Sequence, residues 1–268
     1  MMKKRVAVIG YGALGKITAS GIREALKEQY ETAGIFEVNE KSFEEIERDG
    51  FYRYPTFEAL LEDKPDFVVE MAGDQAAREY GAAVLSKGIR LVIASVGALA
   101  DDGFYQTLWE TAEQHHTKVY LISGAIGGFD VFQTIKIMGN ATGKIENFKA
   151  PGSLNGAPYL GGTALPEDQN SQVFSGTARE AIAGFPKNVN VAVASAIASV
   201  GVDEMNVEIE SVPGLKDNIH KVTVENPEVK AVIEIASKPD PQNPKSSAMA
   251  AWSAVALLKN LASPIELF

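Results

Sequence analysis

The stretch that most constrains this chain lies at its start. Arg5-Val6-Ala7-Val8-Ile9 is a short apolar strand that runs into Gly10-Tyr11-Gly12-Ala13-Leu14-Gly15, a G-x-G-x-x-G turn, and Ile17, Gly21, Ile22, Ala25 and Leu26 continue it with helical spacing. Each glycine answers a steric demand of a strand–turn–helix unit that holds a dinucleotide. Gly10 permits the sharp bend, Gly12 lets a pyrophosphate approach the backbone, and Gly15 lets helix and strand pack closely. The helix start, Gly12 to Gly15 with Ala13 and Leu14, then offers free N–H groups and the positive end of its dipole to phosphate. A second strand, Thr32 to Phe36, ends on Glu37, 22 positions after Gly15 (37 − 15). That spacing suits a carboxylate on the adenosine ribose, which favours NAD over a 2′-phosphorylated cofactor. Asn39 and Lys41 just beyond it leave NADP open.

The turn is followed by regular alternation. Apolar strands are expected at Pro65–Met71, Arg90–Ala94 and Lys118–Ile122, with a short charged helix at Asn39–Asp49 and further helices after Thr56, Asp74 and Leu99. Alternating strands and helices give an α/β fold, a doubly wound parallel sheet of Rossmann type. Ligands of such sheets bind beyond the carboxyl ends of the strands, where Ala72-Gly73, Ser95-Val96-Gly97 and Ser123-Gly124-Ala125 leave room for a cofactor. Past Ile122 the pattern changes. A helix carrying Val131, Ile135 and Met138 precedes a Pro- and Gly-rich stretch. Then come helices at Thr177–Phe185 and Val191–Val200, and strands at Asn206–Val212, Asn218–Glu225 and Val229–Ser237. This order predicts a second, α+β domain built on an open sheet. The expected division is residues 1–125 for the dinucleotide and 126–245 for substrate and dimerisation. The apolar terminal helix, within 246–268, is expected to return to the junction between them.

Composition removes several function classes. A net charge of −10 over 268 residues supplies no basic stripe for nucleic acid. The 46% hydrophobic and 22% charged content is that of an ordinary soluble protein. There is no cysteine, which excludes thiolate catalysis, disulfides and Cys-ligated metal. Neither H-x-x-x-H nor HExxH occurs, and Ser123-Gly124 lies in no G-x-S-x-G elbow. The basic start at Lys3-Lys4-Arg5 is followed by an apolar run that breaks at Gly10, too short for a signal or a membrane span, so a cytoplasmic protein is expected.

Chemistry narrows to histidine. His115 and His116 sit at a helix C-terminus, where a cationic side chain complements the dipole. His220 opens a strand among polar neighbours, Asp217-Asn218-Ile219-His220-Lys221, and is either a general base or a histidine packed at a strand edge.

A set of segments in order resembles the L-aspartate dehydrogenase family over nearly the whole chain. They are Val8–Gly15, Ser95-Val96-Gly97-Ala98-Leu99, Ser123–Asp130, Phe185-Pro186-Lys187-Asn188-Val189-Asn190-Val191-Ala192, Asn218-Ile219-His220 and Asn243-Pro244-Lys245-Ser246-Ser247. The resemblance implies NAD(P)-dependent oxidation of L-aspartate to iminoaspartate, which hydrolyses to oxaloacetate and ammonia or feeds NAD biosynthesis. It also implies that His220 is the active-site residue and that Ala125 and Asn190 contact the nicotinamide cofactor. On this reading Asp217 or Asn218 orients the imidazole, and Lys187, Asn188 and Lys245 are candidates for the substrate carboxylates. A homodimer is expected, with the helix from Val191 and the second sheet as candidate faces. One segment departs from the family. A Thr-Arg-Lys-Pro-Pro-like stretch is replaced by Phe148-Lys149-Ala150-Pro151, leaving Lys149 as a point charge without the arginine fork. Two alternatives stand beside this reading, a two-domain dehydrogenase of another amino or hydroxy acid and a non-catalytic dinucleotide sensor.

Overall fold

The computed structural model describes residues 3–186, 188–238 and 247–265, and the chain divides into two compact units, residues 1–122 with 250–268 and residues 123–249.

In the first unit, β1 (Lys4–Ile9) enters the glycine turn and α1 (Ala13–Ala25) leaves it. β2 (Tyr30–Phe36), α2 (Phe43–Arg48) and α3 (Phe57–Asp63) follow, the last capped by the Thr56 hydroxyl. Then come β3 (Phe67–Glu70), α4 (Asp74–Ser86), β4 (Arg90–Ile93), α5 (Asp102–Gln114) and β5 (Val119–Leu121). The strands form one parallel sheet in the order β2-β1-β3-β4-β5. Because β1 lies between β2 and β3, the chain reverses its winding there and opens a crevice beyond the carboxyl end of β1. The central strands are apolar on both sides, as a sheet covered on both faces requires. The expected helix at 39–49 begins one turn late, as a tight turn at Glu40–Ser42 leading into α2.

In the second unit the order is α6 (Phe129–Met138), β6 (Thr142–Lys149), the single turn α7 (Pro151–Leu154), β7 (Ser171–Thr177), α8 (Ala178–Gly184), α9 (Asn190–Ile197), β8 (Met205–Ser211), β9 (Asn218–Glu225) and β10 (Lys230–Ser237). The open sheet has five strands, ordered β10-β9-β6-β8-β7, with β6 antiparallel to β9 and parallel to β8. The sequence reading omits β6 and β7, whose alternation is carried by Lys, Glu, Asn, Ser and Gln as much as by apolar residues. Ile145, Val207 and Val222 face a core shared with Phe132 of α6, Ala181 of α8 and Ala192 of α9. Its first seven residues apart from Asn190 are buried, so α9 packs inside its own unit and is not the dimer face suggested for it.

The terminal helix α10 (Ala248–Ala262) belongs chiefly to the first unit. Ala254, Val255 and Leu258 join the core formed by Val6, Val8, Ala19, Ile22 and Val69. Gly21 makes this docking possible, since a Cβ there would come within 2.8 Å of the Val255 side chain. The buried Tyr30 hydroxyl donates to the Leu258 carbonyl at 2.8 Å. Leu258→Ala is therefore expected to cost about 2–5 kcal/mol in denaturant unfolding, the usual range for a truncated core leucine.

Candidate active site

Three backbone features build the dinucleotide turn. Gly10 adopts φ +95°, a conformation open to glycine, and a Cβ on it would lie 2.9 Å from Ala72. A Cβ on Gly15 would collide with the Gly10 carbonyl oxygen. Gly12 differs: a Cβ there meets nothing within 4 Å, so the space beside it is open. Gly10 and Gly15 are thus required by the fold, whereas the fold makes no steric demand at Gly12. Gly12 also caps α1 with extended backbone, no side chain caps the helix, and its first turn carries no acidic residue. The N–H groups of Ala13, Leu14 and Gly15 have no intrahelical acceptor and are available to an anion. The turn therefore fits a dinucleotide pyrophosphate.

Glu37 follows β2, and its carboxylate accepts from the Tyr11 N–H at 2.6 Å and the Asn39 N–H at 2.8 Å. This places the acid at the turn itself, where a ribose diol can be engaged. Ala72 packs on Gly10 and is held by a residue that the sequence reading passed over. Glu70 ends β3 fully buried and accepts from the N–H groups of Ala72, Gly73 and Ser95 and from the Ser95 hydroxyl, at 2.7–3.0 Å. Burial pushes its carboxyl above the usual range, while those donors pull it down. One side chain thereby pins the ends of β3 and β4 beside the glycine turn. The available signal was a lone acid closing the apolar run Phe67-Val68-Val69-Glu70.

In the second unit, His220 lies on β9, 3% exposed, on the face turned to the core. Antiparallel register sets it opposite Asn147 of β6. Its Nδ1 is 2.6 Å from Asn147 Oδ1. The same amide donates from Nδ2 to the Glu208 carbonyl at 3.3 Å, which turns Oδ1 toward the ring. An amide oxygen only accepts, so Nδ1 carries the proton and Nε2 holds the free lone pair. Asn147 therefore orients the ring, and the expectation that Asp217 or Asn218 does so is corrected. Asn218 is buried two positions along the same strand face. Burial, with the Lys149 charge added, pushes the imidazole down to about 3, so it is neutral at physiological pH. Lys149 is itself 2% exposed, and burial lowers its ammonium to about 8.

The remaining candidates fall around this face or outside the described residues. Ala125 is buried just after Gly124, and a Cβ on Gly124 would lie 3.9 Å from Val191. The loop bearing Ala125 thus meets the start of α9, where Asn190 is the first residue. Asn188 is buried, and its Nδ2 donates to the Ser153 carbonyl at 2.9 Å, which ties its turn to α7 and occupies one amide proton. Lys187 and Lys245 lie outside the described residues. Among the described residues no three His, Asp or Glu side chains cluster as metal ligands, and no helix is long and apolar enough to cross a membrane.

Comparison with known proteins follows the same two units. The model for the C-terminal region of aspartate dehydrogenase matches residues 130–261, and the NAD-binding domain model of homoserine dehydrogenase matches residues 10–122. The L-aspartate dehydrogenase of Methanosarcina mazei is 36% identical over 217 residues, 80% of each chain, and that of Methanococcoides burtonii is 32% identical over 98% of each. The chain belongs to the L-aspartate dehydrogenase family. Among solved structures, the family member from Thermotoga maritima superposes over 100% of both chains with a TM-score of 0.76 at 26% identity. NAD(P) binding follows from the matched domain and the family relation.

Two expectations follow. Gly12→Val is expected to keep the wild-type melting midpoint while NAD affinity falls at least ~10-fold, because its Cβ enters open space; Gly15→Val is expected to lose the fold. Calorimetry and dinucleotide titration of both variants separate the two roles. The imidazole, with its folded value held at about 3 against 6.5 in a free histidine, binds protons more readily in the unfolded chain. Its contribution to stability is present above about pH 6.5 and is lost as pH falls toward 3. By pH 4 the loss is about 3 kcal/mol. Urea unfolding across this range should show wild type losing that much more stability than His220→Gln.

Proposed function

We propose that this protein is an NAD(P)-dependent L-aspartate dehydrogenase that oxidises the amino-bearing carbon of aspartate to iminoaspartate, with oxaloacetate and ammonia as the hydrolysed products. The observation that carries the reading is the tautomer of His220: a neutral, buried imidazole with Nδ1–H given to Asn147 and the Nε2 lone pair free. Family membership supplies the substrate, and the glycine turn with Glu37 supplies the cofactor site.

NAD(P)+, when bound, accepts the hydride that leaves the substrate Cα. The pyrophosphate is assigned to the N–H groups of Ala13, Leu14 and Gly15 beside Gly12, and the adenosine ribose to Glu37. A carboxylate there disfavours a 2′-phosphate, so NAD is the preferred form. The nicotinamide end is assigned to Ala125 and Asn190 on the family resemblance. His220 Nε2 takes a proton from the substrate nitrogen, which must shed its ammonium charge before a C=N bond can form. Once that proton has passed to solvent and the lone pair is restored, the same nitrogen serves as base for the water that adds to the imine carbon. Asn147 keeps Nε2 unprotonated and aimed by holding the opposite edge of the ring. Lys187, Asn188 and Lys245 remain candidates for the substrate carboxylates, Asn188 with one amide proton already engaged. A cytoplasmic homodimer completes the reading.

The decisive experiment is turnover of L-aspartate with NAD and with NADP, followed by absorbance of the reduced nicotinamide, in wild type and His220→Ala. The variant is expected to lose kcat by about 10²–10⁴-fold, the usual contribution of a general base. Its NAD affinity should be unchanged, because the imidazole takes no part in the glycine turn. Equal turnover in the two proteins would remove His220 from the mechanism. Absence of any aspartate turnover in wild type would remove the substrate assignment.

A further inference from the structure

The sheet of the second unit treats its lysines unequally. On the outward face, Lys144 pairs with Glu208 at 2.9 Å and with Glu146 at 3.5 Å, and Lys221 pairs with Glu146 at 3.4 Å. On the inward face, Lys149 is buried with no carboxylate or hydrogen-bond acceptor among the described residues. Such a cation is costly to bury, and native structures rarely retain one without a reason. Its neighbours do not compensate it. Strand register sets Lys149 of β6 beside Ser211 of β8, and Ser211 beside Ser171 of β7. The hydroxyls of Ser211 and Ser171 are both buried without a hydrogen-bond partner among the described residues. Two positions back along the same face of β6, Asn147 gives His220 a neutral partner, where a carboxylate would have offset the charge.

An ammonium and two unsatisfied hydroxyls thus form one row across three strands, adjoining the catalytic imidazole. The row offers donors and positive charge and lacks an anion. We propose that Lys149, with the hydroxyls of Ser211 and Ser171, is the subsite for one carboxylate of the substrate and selects acidic amino acids over neutral ones. The assignment rests on the dehydrogenase reading for the identity of the ligand, and on the unpaired row for its chemistry. Lys149 retains its proton at neutral pH, since burial brings it to about 8 and no further. A bound carboxylate would also offset the charge that helps depress His220, making the imidazole a stronger base when substrate is present.

The test uses the full-length chain with saturating NAD and compares wild type, Lys149→Met and Ser211→Ala. Methionine keeps the length and removes the charge. For Lys149→Met, aspartate KM is expected to rise about 10–100-fold, the scale of one charge-assisted hydrogen bond, with a smaller change in kcat. For Ser211→Ala the rise should be a few-fold. NAD affinity should hold, and the Lys149→Met melting midpoint should stay level or rise, because a buried charge with no counter-ion among the described residues has been removed. A lowered midpoint with unchanged KM would make Lys149 a structural residue and overturn the proposal. Succinate, a dicarboxylate without an amine, separates this subsite from the activity itself. If succinate raises the melting midpoint of wild type but not of Lys149→Met, the subsite stands even where aspartate is not turned over. Equal stabilisation of both proteins, or of neither, overturns it.

Discussion

The register of β6 against β9 is the constraint from which the candidate site of the second unit follows. Antiparallel pairing sets Asn147 opposite His220, and a slip of one residue would turn every side chain of β6 to the other face. Parallel pairing with β8 fixes the same strand from its other side and brings Ser211 beside Lys149. Along the inward face the chemistry changes within two residues, from Ile145, Val207 and Val222 to Asn147, Lys149, Ser211 and His220. The apolar end anchors the sheet on α6, α8 and α9. The polar end is placed by that anchoring and gains nothing from its own burial. Apolar packing lies at one end of the strand and the candidate site at the other.

The first unit divides its labour in a similar way at the level of backbone. Close approach of Gly10 to Ala72, and of Gly15 to Gly10, makes these glycines part of the packing. Of the three turn glycines only Gly12 opens onto free space, so the fold itself makes no steric demand there. Glu70 stiffens this arrangement by collecting donors from two strand ends. The helix N-terminus therefore meets a phosphate with its N–H groups already aligned, so less ordering is needed on binding. Docking of α10 against α1 and β1 supports the same element from behind, through Val255 and Leu258.

Much of this was legible in the residues, and the limits have physical causes. The central strands of the parallel sheet announce themselves as short apolar runs, because both of their faces are covered. The strands at Asn218–Glu225 and near Asn206 and Val229 alternate clearly, as strands with one solvated face do. β6 was missed because its buried positions include Asn and Lys, and β7 because it buries Phe174 alone among Ser, Gln and Thr, so neither shows a clear alternation. With β6 went Asn147 and its bond to His220. The imidazole was singled out by its neighbours and by resemblance, but its orienting partner is 73 residues away in sequence, so Asp217 and Asn218 looked nearer than they are useful. Glu70 was missed because an acid at a strand end ordinarily faces water.

By itself the amino-acid order determined the strand–turn–helix unit, the two-domain plan and an acid at the end of the second strand, and it singled out position 220 as a candidate, since each depends on local spacing or on residue type. Tertiary structure alone decided which ring nitrogen carries the proton, that a carboxylate at position 70 is enclosed, and that the lysine at 149 stands without a counter-charge among the described residues. Those properties depend on burial and on partners from distant strands. Electrostatics in a protein interior is set by what is nearby in space, and spatial proximity across a sheet is not written in any one segment.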